Sequence, residues 1–444
     1  MTDLPVGFTN RMKSQLGSEY ADFISCYDLP CKKALRFNRS KTSPVDYALM
    51  CRILTGKDAP EEVRCWSGAF MYSDDGPGAS PLHEAGVFYI QEPSAMLPVT
   101  LLDVDDSSLK VLDLCAAPGG KSTQITDLMR GRGLLVSNEV IQKRAAVLSG
   151  NIERMGIANA LVISADPDRL AERFPAYFDR ILVDAPCSGE GMFRKNPEAV
   201  KEWSEDNVKM CATRQKWLLD CASLMLSPGG RIVYSTCTFS PEEDEEVTEH
   251  FLKTHPEFTI EDGPYKMYPH TFPGEGHYAV SFVHGDTASR RTAPELPKEQ
   301  SACVFEGIPL PSAVSSDNMN ERIVRFGESV YIAPEYMPDL DGLKVCRTGL
   351  KIGTYKKNRF DPDHALSHAL TKDEADHFID LAPDSPEVRG YLSGMTLNCD
   401  KDIKGWCLVT VMGYPLGWGK AVGGVLKNHY PSGLRKPWPG QRKH

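Results

Sequence analysis

The chain has 444 residues and a mass of 49.2 kDa. Because a chain of this length is too long for a single ordinary hydrophobic core, we expect two to four domains. Hydrophobic residues make up 41% and charged residues 25% of the chain, as in ordinary soluble globular proteins, and no apolar run reaches the ~18 residues of a membrane span. The 50 basic and 60 acidic residues give a formal net charge of −10, which argues mildly against nucleic acid as a partner of the surface as a whole.

The cysteines and the first residues indicate a reducing compartment. Thirteen cysteines are present, and no two are spaced as Cys-x-x-Cys, which argues against a disulfide scaffold and against a zinc ribbon. The stretch MTDLPVGF lacks the basic and apolar regions of a signal peptide. We therefore expect a cytoplasmic protein whose thiols are mostly small buried hydrophobes.

The first 80 or so residues predict a small unit of helices and mixed structure. Apolar residues recur at helical spacing in FTNRMKSQLGSEYADFISCY, and YALMCRIL predicts a second helix. Residues 71–86 are rich in Gly, Asp, Ser and Pro, which predicts a loop at a domain boundary.

From about residue 85, strand patterns alternate with helical patterns. The predicted strands are KVLDLCA (110–116), GLLVSNE (133–139), ALVISAD (160–166), DRILVDAP (179–186) and RIVYSTCTF (231–239). This alternation predicts an α/β fold, a doubly wound parallel sheet with its ligand at the carboxyl ends of the strands. HYAVSFVH (277–284) is a candidate for a final edge strand.

The last third of the chain predicts a polar linker over 286–301 and then a smaller β-rich region of two units that meet near residue 370. Two basic stretches lie in that region. Their basic residues are Lys344, Arg347, Lys351, Lys356, Lys357 and Arg359, then Lys401, Lys404, Lys420, Lys427, Arg435, Lys436, Arg442 and Lys443. Aromatic residues are interleaved with them: Tyr355, Trp406, Trp418, Tyr430 and Trp438. RNA contact and an ordinary solvated face explain this pattern about equally well, and Trp406 and Trp418 fit a core better than an RNA surface.

The stretch DLCAAPGGKST (113–123) has two interpretations. A phosphate-binding P-loop ending in Gly120-Lys121-Ser122 requires a glycine at position 115, where Cys115 stands, and no Gly-x-Gly-x-x-Gly is present. What remains is a strand, a Pro-Gly-Gly turn and a helix, an arrangement that lets a ligand approach the backbone closely.

Two acids near the ends of the following strands indicate the ligand. Glu139 follows the turn by about twenty residues, where such a sheet binds ribose hydroxyls. Asp166 ends the third predicted strand, on the adenine side. Either acid alone is more often a cap or turn residue, but the ordered set suits a ligand with ribose and base and without a triphosphate. S-adenosylmethionine is the natural candidate.

Two cysteines, Cys187 and Cys237, end neighbouring strand segments beside the expected methyl donor. A reaction that needs a thiolate there is methylation of a pyrimidine at carbon 5, because thiolate addition to carbon 6 makes carbon 5 nucleophilic. Asp184, three residues before Cys187, is placed to stabilise the adduct as a neutral or hydrogen-bonded acid, or simply to cap the turn. The chemistry alone does not decide which cysteine attacks.

DLCAAPGGKST, DAPCSGEGMFRKNP and YSTCTFSPEEDEE resemble the motifs of the RsmF-like RNA cytosine-5 methyltransferases, relatives of the eukaryotic NSUN enzymes. FYIQEPSAMLP (88–98) and LKNHYPSGLR (426–435) are similar to this family as well. The resemblance implies that Cys237 is the nucleophile and that Cys187 assists product release, although DNA cytosine methyltransferases attack with the Pro-Cys cysteine. No metal is expected for this chemistry.

The resemblance also implies which residues hold S-adenosylmethionine. These are Cys115, Ala116, Ala117, Pro118, Gly119, Gly120 and Lys121, completed by Glu139, Asp166 and Asp184. Pro167 is a mismatch in the third motif and leaves Asp168 as an alternative adenine contact, but the strand-end position favours Asp166.

The resemblance implies a Rossmann-like methyltransferase core with a small N-terminal domain and a PUA-like C-terminal region. The predicted segments are 1–84 (N-terminal RNA-binding or accessory), 85–284 (methyltransferase), 285–301 (linker), 302–370 (intermediate) and 371–444 (PUA-like, RNA-binding). The expected substrate is a cytidine of small-subunit ribosomal RNA, naked or in a subunit, and the expected state is a monomer. The alternatives are transfer RNA or large-subunit RNA, or a ribosome-assembly factor with a vestigial methyltransferase fold.

Overall fold

The computed structural model describes residues 4–57, 60–72, 76–105, 107, 109–285, 308–312, 322–357 and 359–437. The predicted linker, 286–301, lies outside the described residues, as do Trp438, Arg442 and Lys443. Within the described residues the strands form four sheets, of three, eight, four and five strands. None of the described helices is both long enough and apolar enough to cross a membrane.

The N-terminal part combines helices with a three-stranded antiparallel sheet. Its strands are β1 (Lys33–Phe37), β2 (Ala69–Tyr72) and β3 (Phe88–Gln91), and its helices are α1 (Val6–Leu16), α2 (Tyr20–Ser25), α3 (Tyr47–Thr55), α4 (Pro81–Glu84) and α5 (Leu97–Leu101). The predicted helices are confirmed. The loop prediction for 71–86 is wrong at α4, where Pro81 takes the first turn and the Ser80 side chain accepts the N–H of Leu82.

The eight-stranded sheet forms the centre of the molecule. Seven of its strands are β4 (Lys110–Asp113), β5 (Leu134–Asn138), β6 (Ala160–Ile163), β7 (Phe178–Asp184), β8 (Leu226–Thr236), β9 (Phe258–Met267) and β10 (His277–His284). The five predicted strands are confirmed, and neighbours in the order β6-β5-β4-β7-β8 pair in parallel. The chain proceeds from β4 to one side and returns on the other, which opens a crevice at the carboxyl end of β4.

Helices cover both faces of this sheet. They are α6 (Gly120–Met129), α7 (Gln142–Arg154), α8 (Pro167–Arg173), α9 (Pro197–Glu202), α10 (Glu205–Met225) and α11 (Glu245–Thr254). Successive strand residues point to opposite faces, so Leu112 and Val111 belong to two different buried apolar clusters. Strands buried on both faces explain why the sequence shows continuous apolar runs there.

The edges of the sheet differ from the sequence prediction. HYAVSFVH forms β10, which is not an edge strand, because it pairs with β8 on one side and with β9 on the other. The edge strand β9 has little apolar pattern, since most of its side chains are exposed. At the opposite edge β13 (Val345–Thr348) pairs antiparallel with β6, so the C-terminal region covers that edge.

Two further sheets make up the rest of the C-terminal region. The first contains β11 (Ile323–Phe326), β12 (Ser329–Ile332), β14 (Leu350–Lys356) and β15 (Arg359–Pro362), followed by α12 (His364–Ala369). The second contains β16 (Phe378–Leu381), β17 (Leu397–Asn398), β18 (Gly405–Val411), β19 (Tyr414–Val422) and β20 (Val425–Asn428), with α13 (Pro386–Ser393). Trp418 is buried between them, and its Nε1–H donates to the carbonyl of Asp363 at 2.9 Å, as expected of a core residue.

Candidate active site

The glycine turn joins β4 to α6 at the carboxyl end of the sheet. Gly119 has a φ of 111°, which disfavours side chains, and a Cβ there would lie 2.9 Å from Cδ1 of Leu148. A Cβ on Gly120 would lie 3.3 Å from the ring of Tyr89. The turn therefore brings bare backbone and the first N–H groups of α6 to the crevice.

Lys121 and Asp184 meet across the crevice. Nζ of Lys121 donates to Oδ2 of Asp184 at 2.7 Å, and Oγ of Ser235 donates to Oδ1 at 2.8 Å. Burial alone would raise the pKa of Asp184, but the Lys121 ammonium and the nearby His277 hold it well below its usual range. Asp184 is therefore a carboxylate that accepts hydrogen bonds, which agrees with a hydrogen-bonded acid and not with a neutral one.

Cys187 and Cys237 follow β7 and β8 and meet at the crevice. Their Sγ atoms lie 3.2 Å apart, and both residues are half-buried. The hydrogen bond to Cys237, followed by burial, raises the pKa of Cys187 well above its ordinary value. Cys187 thus keeps its proton and can donate it in a hydrogen bond to the sulfur of Cys237.

The third cysteine at the crevice, Cys115, differs from this pair. Burial, with the neighbouring carboxyl groups of Asp113 and Asp184, raises its pKa well above the ordinary thiol value. A raised pKa favours the protonated thiol, whereas the thiolate is the nucleophilic form, so this position does not favour a nucleophilic role for Cys115. Its place in the turn is consistent with backbone contact to a ligand.

The predicted adenosine-binding acids lie beyond the turn. Glu139 is buried, its Oε1 accepts the N–H of Ile141 at 2.9 Å, and its Oε2 lies 3.1 Å from Arg144. Asp166 is exposed and caps α8 through Asp168 N–H at 3.1 Å.

Asp168, the alternative adenine contact, points elsewhere. Its Oδ1 accepts the Nε1–H of Trp217 at 2.9 Å and the thiol of Cys221 at 3.3 Å, both on α10. Asp166 is therefore the better placed of the two acids.

Sequence reasoning missed several buried polar residues that hold the cysteine segments. The hydroxyls of Ser188 and Thr238, each next to a cysteine, lie 2.9 Å apart. Oε2 of Glu243 accepts the N–H of Ser188 and Nε2–H of Gln215, both at 2.9 Å. The only available signal was PEEDEE (241–246), which reads as an exposed acidic run although Glu243 is fully buried.

His277 was missed as well. Its buried side chain places Nε2 3.4 Å from Oδ1 of Asp184, and neither ring nitrogen has a hydrogen-bond partner among the described residues. Burial and the Lys121 ammonium lower the pKa of His277. Nothing in the strand pattern of HYAVSFVH distinguishes it from a core residue.

The site suits a nucleoside next to the thiols. Val140 and Ile141, beside Glu139, are 55% and 53% exposed, so they offer apolar surface to a flat ring. Together with the bare turn and the carboxylate of Glu139, this arrangement fits the adenosine and backbone contacts that S-adenosylmethionine requires. The thiol pair and the Lys121–Asp184 pair then provide a nucleophile and charged groups for a second, reacting ring.

Comparisons with known proteins agree with this geometry. The family described as 16S rRNA methyltransferase RsmB/F matches residues 99–290. The N-terminal domain of 16S rRNA methyltransferase RsmF, the first C-terminal domain of the RsmF rRNA methyltransferase and the RsmF PUA domain match residues 4–93, 312–370 and 378–436.

Curated relatives match over nearly their whole length. Ribosomal RNA small subunit methyltransferase F of Vibrio vulnificus is 31% identical over 463 residues, covering 97% of each chain. The protein of the same name from Shewanella piezotolerans is 34% identical over 475 residues, again covering 97% of each chain.

Solved structures share the fold over about two thirds of the chain. A methyltransferase homolog protein from Pyrococcus horikoshii has a TM-score of 0.56 at 25% identity, covering 64% of this chain and 96% of its own. NSun6 from the same organism, solved with SFG, has a TM-score of 0.56 at 19% identity, covering 64% and 99%. The second of these supports the fold alone.

Proposed function

Since the chain belongs to the RsmB/F family and is an S-adenosylmethionine-dependent RNA (cytosine-5) methyltransferase, we propose that it methylates a cytidine of small-subunit ribosomal RNA through a covalent adduct with Cys237. The observation that carries the covalent mechanism is the 3.2 Å separation of the Cys187 and Cys237 sulfurs beside the Asp184 carboxylate. The RNA class is supported by the names of the relatives that match over nearly the whole chain.

The proposed donor site is the turn from Cys115 to Lys121 together with Glu139, Asp166 and Asp184. S-adenosylmethionine, when bound, supplies an electrophilic methyl group. The turn contributes backbone groups, Glu139 accepts ribose hydroxyls, and Asp166 lies on the adenine side. Arg144 already spans Glu139 and the carbonyl of Ala117, at 3.1 and 3.0 Å, so it braces this pocket.

In the first proposed step the Cys237 thiolate attacks carbon 6 of the cytosine. The new S–C bond shifts the electron pair of the ring double bond toward carbon 5 and ring nitrogen 3. The ammonium of Lys121 can donate to the ring edge, while the Asp184 carboxylate accepts from its N–H groups. A fixed pair of opposite charges stabilises the adduct without reorganisation during the reaction.

In the second step carbon 5 would take the methyl group, the bond between that methyl and the donor sulfur would break, and S-adenosylhomocysteine would leave as a neutral thioether. A base then removes the carbon 5 proton. The electrons of that C–H bond reform the ring double bond, and Cys237 leaves as a thiolate. Cys187, kept protonated by its raised pKa, donates a hydrogen bond to the departing sulfur. This gives Cys187 the role in product release that the family resemblance implies.

The C-terminal region is proposed to position the RNA, within the segments 302–370 and 371–444. Lys420 lies 5.1 Å from the ring of Trp406, and His429 lies 4.7 Å from it. Lys427, directly opposite Lys420 on the neighbouring strand, is exposed. Facing like charges are unfavourable for folding alone, and they suit contact with phosphate.

In contrast, the first basic stretch is largely neutralised. Arg347 lies 3.3 Å from Glu153, Lys351 lies 2.9 Å from Asp363, and Lys356 lies 3.1 Å from Asp361. These pairs favour the ordinary interpretation of a charged face for that stretch. Lys420 and Lys427 are therefore the better candidates for RNA contact.

The substrate proposal is tested by methyl transfer from labelled S-adenosylmethionine. Small subunits, large subunits, their naked RNAs and transfer RNA, all unmodified, are offered separately and then digested to nucleosides. Label in 5-methylcytosine from the small subunit or its RNA is expected, and Cys237→Ala is the negative control. Label only in transfer RNA or large-subunit RNA would overturn the substrate, and no label despite donor binding would favour an assembly factor.

A further inference from the structure

We propose that Glu190 is a positioning residue of the methylation site, which holds the two cysteine-bearing segments against each other and against helix α1; this inference rests on the proposed function. Glu190 lies three residues after Cys187, in the short 3-10 helix Glu190–Met192, and is fully buried. It does not reach the reacting ring in the proposed mechanism. Its effect is on the relative position of the Cys187 and Cys237 sulfur atoms.

Glu190 connects the segment of Cys187 to the segment of Cys237. Its Oε2 accepts the N–H of Phe239 at 3.1 Å, two residues after Cys237. The adjoining Gly191 donates its N–H to the carbonyl of Cys237 at 2.9 Å. The two segments are thus joined within a few residues of each thiol.

The other oxygen of Glu190 faces the N-terminal part of the chain. Oε1 accepts the Nε1–H of Trp203 at 2.8 Å and pairs with the guanidinium of Arg11 on α1. Gln15, one turn further along α1, donates to the carbonyl of Phe239 at 3.2 Å. Helix α1 therefore contacts both cysteine segments, and Glu190 is the carboxylate where these contacts meet.

The chemistry of the contact requires an ionised acid. Three donors, from Arg11, Trp203 and the Phe239 backbone, converge on one carboxylate. A glutamine would turn one acceptor oxygen into an NH₂ group that faces these donors, and it would leave the Arg11 charge without its partner. The segments would then separate slightly, and a misplacement of about 1 Å is enough to slow a reaction strongly.

The first test compares Glu190→Gln with Asp127→Asn. Asp127 is a matched control because it is also buried, pairs with Arg36 of β1, and joins the N-terminal part to the core without touching either cysteine segment. We expect Glu190→Gln to slow formation of the covalent RNA adduct in a single turnover at least ~10-fold, with donor affinity changed by less than about twofold. The control is expected to keep its adduct rate within about threefold.

The second test reads the thiol separation without RNA. Phenylarsine oxide condenses with two neighbouring thiols, forming two As–S bonds and releasing water. The arsenical affinity that is lost in Cys187→Ala is the affinity due to the Cys187–Cys237 pair. We expect Glu190→Gln to weaken this affinity at least ~5-fold, whereas Asp127→Asn should preserve it. If Glu190→Gln does not fold, Arg11→Met should weaken arsenical binding and adduct formation in the same direction.

The outcomes separate this inference from the proposed function. Unchanged adduct rate and arsenical affinity in Glu190→Gln would overturn the positioning role, as would equal losses in Asp127→Asn. An unsubstituted protein that binds the arsenical through its thiol pair and forms no RNA adduct would overturn the covalent mechanism. In that case the arsenical comparison alone decides the role of Glu190.

Discussion

The donor side and the thiol side of the crevice are held in place in different ways. Among the donor-side residues, the two acids are held by local contacts: Glu139 bonds to Ile141 and pairs with Arg144, and Asp166 caps its own helix. On the thiol side the contacts join distant parts of the chain. Ser188 and Glu243 are 55 residues apart in sequence, and Arg11 and Glu190 are 179 residues apart.

This difference predicts how substitutions on each side act. A change at Glu139 or Asp166 should alter donor affinity and leave the rest of the fold in place, because the contacts of these two acids are local. A change on the thiol side should slow the chemistry with little effect on donor affinity. Asp184 bonds to Lys121 of the donor turn and lies three residues before Cys187, so its replacement tests whether donor binding or the chemistry depends on it more.

The largest effect short of removing a thiol is expected for Asp184→Asn. The amide has no charge and cannot form an ion pair with the Lys121 ammonium. The carboxylate charge that stabilises the adduct is therefore lost, and adduct formation should fall by ~100–1,000-fold. Because Asp184 also belongs to the proposed donor site, donor affinity measured by calorimetry should fall as well, but by less than about tenfold. Equal losses of donor affinity and adduct formation would place Asp184 on the donor side.

An intermediate effect is expected for Gly119→Ala on the donor side. The left-handed φ of 111° and the 2.9 Å approach to Leu148 would force the turn to move, and donor Kd should rise about tenfold. Gly150→Ala on α7 is the control, since a Cβ there meets nothing within 4 Å. An unchanged donor Kd in Gly119→Ala would show that the turn does not contact the donor.

The smallest effect is expected on stability, from Asp113 at the end of β4. Burial raises its pKa to about 7, against ~3.9 in an unfolded chain, so the folded state holds the extra proton between these values and stability falls as pH rises through them. Asp184 has the opposite shift, and its contribution is lost only in stronger acid. Asp113 therefore makes the free energy of unfolding depend on pH near neutrality, whereas Asp184 does not.

Replacement by asparagine should remove the Asp113 contribution. Relative to the unsubstituted protein, Asp113→Asn should gain roughly 2 kcal/mol of unfolding free energy on going from pH 5 to pH 8. Urea unfolding at the two pH values measures this difference. An unchanged difference between pH 5 and pH 8 would mean that Asp113 is ionised in the folded protein at both pH values.

The elements of the donor side are visible in the sequence because their determinants are local. The strand–turn–helix pattern, Glu139 and Asp166 are each visible within a short window, and the core strands are confirmed. The two cysteines are equally visible, but their 3.2 Å contact depends on the pairing of β7 with β8. Which parallel strands are neighbours is a property of the topology that no short window contains.

The supporting network escapes prediction for the same reason. Glu243 occurs in an acidic run that suggests exposure, and Glu190 stands between two glycines with no apolar pattern around it. Both are buried where Arg11, Gln215 and backbone N–H groups from elsewhere in the chain meet them. The edge strands were also missed, since β9 is largely exposed and β13 comes from beyond the linker. A local sequence pattern therefore predicts that a side chain is buried only where the residues that cover it lie in elements with a periodic apolar pattern of their own.

The most direct test of the account traps the RNA adduct in the two cysteine variants. Cys187→Ala and Cys237→Ala are each incubated with unmodified small-subunit RNA and S-adenosylmethionine, then run on a denaturing gel. We expect Cys187→Ala to accumulate a stable protein–RNA adduct, because release is impaired, and Cys237→Ala to form none. An adduct with Cys237→Ala and none with Cys187→Ala would reverse the two roles, and none with either would contradict covalent catalysis by this pair.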